Sequence, residues 1–244
     1  TGNSNAVISS IFGLVREQMV SDYCSEVMSS FEKDVSPQYF GIDAVSREKL
    51  ILNSSNTSKK LYELNDDQLV IICDGTYIRH QKSTNNEYQR KSYSGQKKVP
   101  LCKPFKICTT NGFVIDMLGP YTANMNDAEI MKIVLNDPNG LIKLLKKDDI
   151  IVVDRGFRDI VKYLEQLGFK VLMPAFTGKR NQLTTDESNQ SRFVTKIRWV
   201  VEAMHVSCFL YNEFGARLDS DIDLSKKVVD AMNSRKYLDN TSAS

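Results

Sequence analysis

Histidine is almost missing from this chain: there are two in 244 residues, His80 and His205. Cysteine offers no substitute, because Cys24, Cys73, Cys102, Cys108 and Cys208 are odd in number and widely scattered. A structural zinc site built on close Cys and His pairs is therefore not expected. Several of these cysteines sit in apolar runs, where a reduced thiol packs as a small hydrophobe, so a reducing compartment is expected rather than a disulfide framework. No apolar run approaches the roughly 18 residues that span a bilayer, and no signal-peptide pattern opens the chain, so no membrane partner is expected. Excess charge of one sign is lacking too, since 32 Lys and Arg against 30 Asp and Glu leave a net charge of +2. Composition alone thus marks no nucleic-acid binder. What remains, 41% hydrophobic and 25% charged, is an ordinary globular composition, long enough for one large domain or one domain with an appendage. The first residue is Thr1 rather than Met, from which a fragment of a longer protein is expected.

Against that background three acidic residues carry the information. Asp74 closes the apolar run Leu69-Val70-Ile71-Ile72-Cys73, and Asp154 closes Ile150-Ile151-Val152-Val153. Each is followed by a turn-forming glycine, at once after Asp74 and after one arginine in the case of Asp154. A carboxylate at the tip of a buried strand costs several kcal/mol unless something compensates it. A turn-forming Asp after a strand is the plain alternative. Glu202 lies in a segment of helical periodicity: Val194, Ile197, Val201, Met204 and Cys208 form an apolar stripe, with Arg198, Glu202 and His205 on an adjacent polar one. Glu202 could equally be half of a surface ion pair with Arg198, four residues earlier. Two strand-tip carboxylates and a helical one suggest a divalent-metal site. Asp127 and Asp159 have the same chemistry, but both fall near expected helix starts, where capping accounts for them.

The order of elements gives the carboxylates a frame. Residues 3–31 read as one amphipathic helix or two short ones, and a turn-rich connector with a short helix at 46–51 follows. We place a boundary near residue 60, with an N-terminal helical segment over 1–60 and the main domain over 61–244. That domain begins with a strand over 68–78 and a hairpin of 101–109 with 113–119 about Asn111-Gly112. A helix over 127–136 capped by Asn126 comes next, then a short helix at 140–146 and a strand at 149–154. A helix at 158–167 stopped by Gly168, a strand at 170–175, a polar loop and a long helix from about 191 to 212 complete it. The expected fold class is α/β, an RNase H-like mixed sheet flanked by helices, in which the strands bearing Asp74 and Asp154 are neighbours.

Charge placement adds a partner. Between Arg79 and Lys106 lie Arg79, Lys82, Arg90, Lys91, Lys97, Lys98, Lys103 and Lys106 against one acid, Glu87. Tyr77, Tyr88 and Tyr93 interleave with these cations, a combination suited to phosphate tracking and base contact, although a solvated loop would look similar. The segment leaves directly from the Asp74 strand, so it would flank the site.

As an ordered set these segments resemble the DDE transposases of the Harbinger and insertion-sequence type. The matching pieces are Asp74-Gly75-Thr76, residues 89–98, Gly119-Pro120-Tyr121 with Asn126-Asp127, Asp154-Arg155-Gly156-Phe157 and Arg198-Trp199-Val200-Val201-Glu202. The resemblance covers about residues 65–210. It implies an RNase H-like DNA endonuclease whose metal-binding catalytic residues are Asp74, Asp154 and Glu202, with Asp74 and Glu202 on one ion and Asp154 bridging two. An alternative alignment would bring Asn126-Asp127 into the site; Asp154 is preferred because its strand adjoins that of Asp74. The implied cofactor is Mg²⁺ or Mn²⁺, and the implied partner is double-stranded DNA, at element ends and target, with a homodimer or higher oligomer allowed. Arg79, Lys82, Arg90, Lys91, Lys97, Lys98 and Lys103 would contact DNA. The implied location is the nucleus in a eukaryote and otherwise the cell interior. Residues 3–12 resemble the tail of a helix-turn-helix. Downstream of Glu202 the family commonly carries Asn and then a basic residue, whereas this chain runs Ala203-Met204-His205-Val206-Ser207-Cys208-Phe209. That departure keeps open a repurposed DNA- or protein-binding protein without catalysis.

Overall fold

The computed structural model describes residues 4–39, 41–177, 182–202, 226–227 and 229–230, with the side chains of 35, 36, 39 and 199–202 outside that description. In chain order the helices α1 (Asn5–Ile11), α2 (Gln18–Ser30), α3 (Ser36–Tyr39), α4 (Arg47–Leu52) and α5 (Asn56–Leu61) precede the first strand. Then come β1 (Val70–Gly75), β2 (Ile78–Arg79), α6 (Asn86–Ser92), β3 (Tyr93–Ser94), β4 (Val99–Thr109) and β5 (Val114–Thr122). The remainder is α7 (Asp127–Asn136), β6 (Ile150–Val152), α8 (Val161–Gln166), β7 (Lys170–Leu172) and α9 (Thr185–Glu202).

Seven strands form a mixed sheet whose main path runs β2-β4-β1-β6-β7, with β3 and β5 pairing on β4. β1 lies antiparallel to β4, Asp74 opposite Lys106, and parallel to β6, Val70 opposite Ile150. This is the expected mixed sheet flanked by helices, consistent with an RNase H-like fold, and the strands leading to Asp74 and Asp154 are indeed neighbours.

Strand alternation divides the core into two layers. Leu69, just ahead of β1, and Ile71 and Cys73 within it pack with Phe105, Ile107 and the α7 residues Ile130, Met131 and Val134 on one face. Val70 and Ile72 pack on the other with Cys108, Val152 and the α9 residues Val194 and Ile197. Those two α9 side chains belong to the apolar stripe expected of that helix. Ahead of β1, Ile42, Val45 and Leu50 join the first layer. Arg47 fastens α4 to the sheet through a two-pronged ion pair with Asp149, at 2.5 and 2.7 Å.

Three expectations are corrected. The single strand over 68–78 is broken: β1 stops at Gly75, and β2 resumes at Ile78 beside a different stretch of β4. The solvated-loop alternative for the basic segment does not hold throughout, since Asn85 caps α6 by accepting from the Tyr88 N–H at 3.0 Å, and β3 returns the chain to β4. The last helix begins at Thr185 rather than near 191. Thr184 and Glu187 form a reciprocal cap there, Thr184 Oγ1 accepting from Glu187 N–H at 3.2 Å and Glu187 Oε2 from Thr184 N–H at 2.9 Å. That Thr-x-x-Glu spacing is a readable helix-start signal.

Candidate metal centre

Asp74 continues the 70–72 alternation of β1 and so lies on the α9 side of the sheet, where Arg198 Nη2 stands 3.9 Å from its Oδ2. Asp154, two residues beyond β6, caps the 3₁₀ turn Arg155–Ile160 by accepting from the Gly156 N–H at 2.7 Å. The turn role and the strand-tip placement therefore coexist in one residue. The ends of parallel neighbours in an open α/β sheet form the crevice where such folds bind ligands.

A third aspartate enters this crevice from α7. The cap of that helix is Asn126 acting with Glu129: Asn126 Oδ1 accepts from Glu129 N–H at 2.8 Å, and Glu129 Oε2 accepts from Asn126 N–H at 2.9 Å. Asp127 is thereby relieved of the capping role that its place in the sequence suggests, and its buried Oδ1 has no hydrogen-bond partner among the described residues. A Cβ placed on Gly75 would stand 2.6 Å from Asp127 Oδ1. One on Gly156 would stand 2.9 Å from both Asp127 Oδ2 and Asp154 Oδ1. The two glycines after the strand-tip acids thus leave room for the Asp127 carboxylate, and they tie Asp74, Asp127 and Asp154 to one place. The Asn126-x-x-Glu129 spacing is the sequence signal that could have released Asp127 for this role.

Electrostatics agree with that grouping. Burial pushes the Asp74 carboxyl up to about 6; Arg198 opposes the rise, Asp154 and Asp127 add to it, and Lys106 opposes it. Burial likewise raises Asp127, against Lys103 and with Asp154. Tyr77 fronts the same crevice, its phenol raised by burial and then by Asp127, Asp154 and Asp74. The ammonium groups of Lys97 and Lys103 each lie 5.4 Å from its ring centroid.

Glu202 is the last described residue of α9, one turn beyond Arg198, and its side chain lies outside the description. Among the described residues, no group of three or more His, Cys, Asp or Glu side chains is assembled that could hold a metal ion. The donors nevertheless fit a hard divalent cation: carboxylate oxygens predominate, Asp127 Oδ1 is buried without a donor among the described residues, and ionising Asp74 and Asp127 together is costly without added positive charge.

The basic segment divides into two populations. Arg79 on β2, Lys82, Arg90 and Lys91 on α6, and Lys97 and Lys98 in the turn before β4 are all exposed, as are Tyr77, Tyr88 and Tyr93. Lys91 pairs with Glu87 at 2.7 Å. Lys103, expected on the DNA-contacting surface, is instead 7% exposed, and Lys106 opposite Asp74 is fully buried. Both lie on β4 within the sheet, where side chains point into one or other packed layer.

No described helix is long and apolar enough to cross a membrane. Residues 65–207 match the family described as the transposase DDE domain, a stretch that holds β1, the basic segment, α7, β6 and α9. No curated protein matches the chain.

Proposed function

We propose that this chain, which belongs to the transposase DDE domain family, cuts and joins DNA strands at a divalent-metal centre formed by Asp74, Asp154 and Glu202, with Asp127 as a fourth carboxylate. The observation that supports this reading is at the ends of the parallel strands β1 and β6, where the Asp127 carboxylate meets the glycines that follow Asp74 and Asp154. Mg²⁺ or Mn²⁺ bound there would supply Lewis acidity toward the phosphate and make a bound water more acidic and so easier to use as the nucleophile. Asp74, Asp154 and Glu202 would be the residues that hold it, with Asp127 beside them. Asp154 keeps its orientation through Gly156 N–H, and the buried Asp127 Oδ1, which has no hydrogen-bond donor among the described residues and only the Lys103 ammonium at 3.8 Å, would gain a closer cation.

The exposed Arg79, Lys82, Arg90, Lys91, Lys97 and Lys98 would hold DNA phosphates alongside, and the rings of Tyr77, Tyr88 and Tyr93 offer faces for stacking. No side chain need form a covalent bond to DNA in this chemistry: water cleaves a phosphodiester and frees a 3′ hydroxyl, which then attacks a target phosphate and displaces the 3′ oxygen of the target strand. Assembly of two or more copies would bring two DNA ends together.

The test is nicking of supercoiled and linear duplex DNA in Mg²⁺ or Mn²⁺ by the wild type and Asp154→Asn. Asn still accepts the Gly156 N–H, so the turn should persist while the ligand charge is lost. Cleavage by the wild type that disappears in the variant, with an unchanged circular dichroism spectrum, is the expected result. Equal cleavage by both overturns the assignment. A second reading, a transposase-derived DNA- or protein-binding protein without catalysis, draws on the cations already facing two aspartates, Arg198 at Asp74 and Lys103 at Asp127. It predicts salt-dependent DNA binding with no cleavage in either metal.

A further inference from the structure

Lys103 is the cation of the basic run that sits nearest the carboxylates of the α7 side. Its side chain is only 9% exposed, and its ammonium reaches the turn ahead of α7 that carries Met125 and Asp127. A buried ammonium costs several kcal/mol unless it is compensated. Three features compensate it: Lys103 Nζ donates to the Met125 carbonyl at 2.6 Å, lies 3.8 Å from Asp127 Oδ1, and stands over the Tyr77 ring. Met125 is two residues ahead of Asp127, so the hydrogen bond anchors the turn that delivers Asp127 between Gly75 and Gly156.

An ammonium here cannot track a DNA phosphate, since the side chain is almost wholly covered. Its effect falls on whatever positive charge shares the crevice. A divalent ion taken up by Asp127 and Asp154 would sit within a few ångströms of a fixed positive charge, and repulsion at that range in a partly buried site is strong.

We propose that Lys103 is an internal counter-cation of the metal centre: it offsets Asp127 while the centre is empty, positions that carboxylate through Met125, and weakens divalent-ion binding until an anionic ligand such as a DNA phosphate joins the site. Lys103 is on this view a positioning residue that lowers the affinity of the empty centre and couples its filling to DNA. The inference rests on the metal centre proposed above.

The test is calorimetric titration of Mn²⁺ into the wild type, Lys103→Gln and Lys103→Arg, with thermal unfolding recorded in chelator and in saturating Mn²⁺. Gln removes the charge and keeps a donor for the Met125 carbonyl. The expected result is Mn²⁺ binding at least ~10-fold tighter in Lys103→Gln, from the repulsion removed, with binding near the wild-type value in Lys103→Arg. The Gln variant should also melt lower in chelator and gain more from Mn²⁺ than the wild type. A purely structural role would lower the melting temperature without tightening the metal, so unchanged or weaker binding in Lys103→Gln overturns the inference. Equal tightening in Lys103→Arg overturns it as well, since that variant keeps the charge. Should the Gln variant not fold, Lys103→Met, which retains the volume of the stem, is titrated in its place. Absence of saturable Mn²⁺ binding in the wild type and every variant would sink the metal centre itself, an outcome distinct from binding that ignores residue 103.

Discussion

Replacing Asp74 with Asn should stabilise the metal-free protein. The Asp74 carboxyl is pushed from an ordinary 3.8 up to about 6, chiefly by burial. At 1.36 kcal/mol per unit, ionising it in the fold costs about 3 kcal/mol more than ionising it in the unfolded chain. Because the folded value is the higher one, this cost is absent below about pH 3.8, grows between there and about 6, and is fully present above. Asn imitates the protonated form, so the variant should match the wild type near pH 4 and exceed it by up to about 3 kcal/mol at pH 8. At roughly 2–4 °C per kcal/mol for a chain of this size, the melting temperatures should separate by up to about 12 °C. Thermal unfolding followed by circular dichroism in chelator, at intervals from pH 4 to pH 8, measures the separation directly. Saturating Mn²⁺ should then raise the wild type and leave the variant nearly unmoved. If Asp74→Asn is no more stable than the wild type at pH 8, or if the difference does not vary with pH, burial does not govern this carboxylate and the electrostatic account of the crevice fails.

Gly75→Ala would set a methyl 2.6 Å from Asp127 Oδ1, so it should displace that carboxylate and weaken Mn²⁺ binding by ~10-fold or more, read by titration, while the sheet persists. Arg47→Leu removes the partner of Asp149, which is 1% exposed, and should cost about 3–5 kcal/mol in urea unfolding with no direct effect on the metal centre. Lys97→Ala with Lys98→Ala should lower the salt dependence of DNA binding by a slope of roughly 2, about one for each phosphate no longer neutralised, when affinity is followed by fluorescence anisotropy between 50 and 200 mM salt.

Much of the framework is written locally. The apolar runs before Asp74 and Asp154 announce β1 and β6, and the Asn126 cap announces α7 at its observed start. The 3.6-residue stripe through Val194 and Ile197 announces the face of α9 that packs on the sheet. Other local signals were present but outweighed: the Thr184-x-x-Glu187 cap moves the start of α9 earlier, and Asn85 nucleates α6 inside a segment whose polarity resembles that of a loop. The break between β1 and β2 was not legible in the same way. Apolar and polar residues continue through 76–78, and it is the pairing of Ile78 with Cys102 that fixes where the second strand begins.

Residue type and period were enough to say which side chains can carry metal chemistry, that two of them end apolar strands, and that a basic, tyrosine-bearing segment leaves from one of those strands. Such properties are set within a few residues along the chain. Packing of the layers was needed to bring Asp127 beside Asp74 and Asp154, and to turn Lys103 inward while Lys97 and Lys98 face solvent. Both outcomes depend on distances between segments far apart in sequence. The approach of α7 to the backbone at Gly75 and Gly156 leaves Asp127 Oδ1 buried without a hydrogen bond among the described residues. The place of β4 in the sheet makes one lysine of a continuous basic run a buried charge. Desolvation and Coulomb energy act through space, so the partners that shift a carboxylate or hold an ammonium are chosen by how the layers meet.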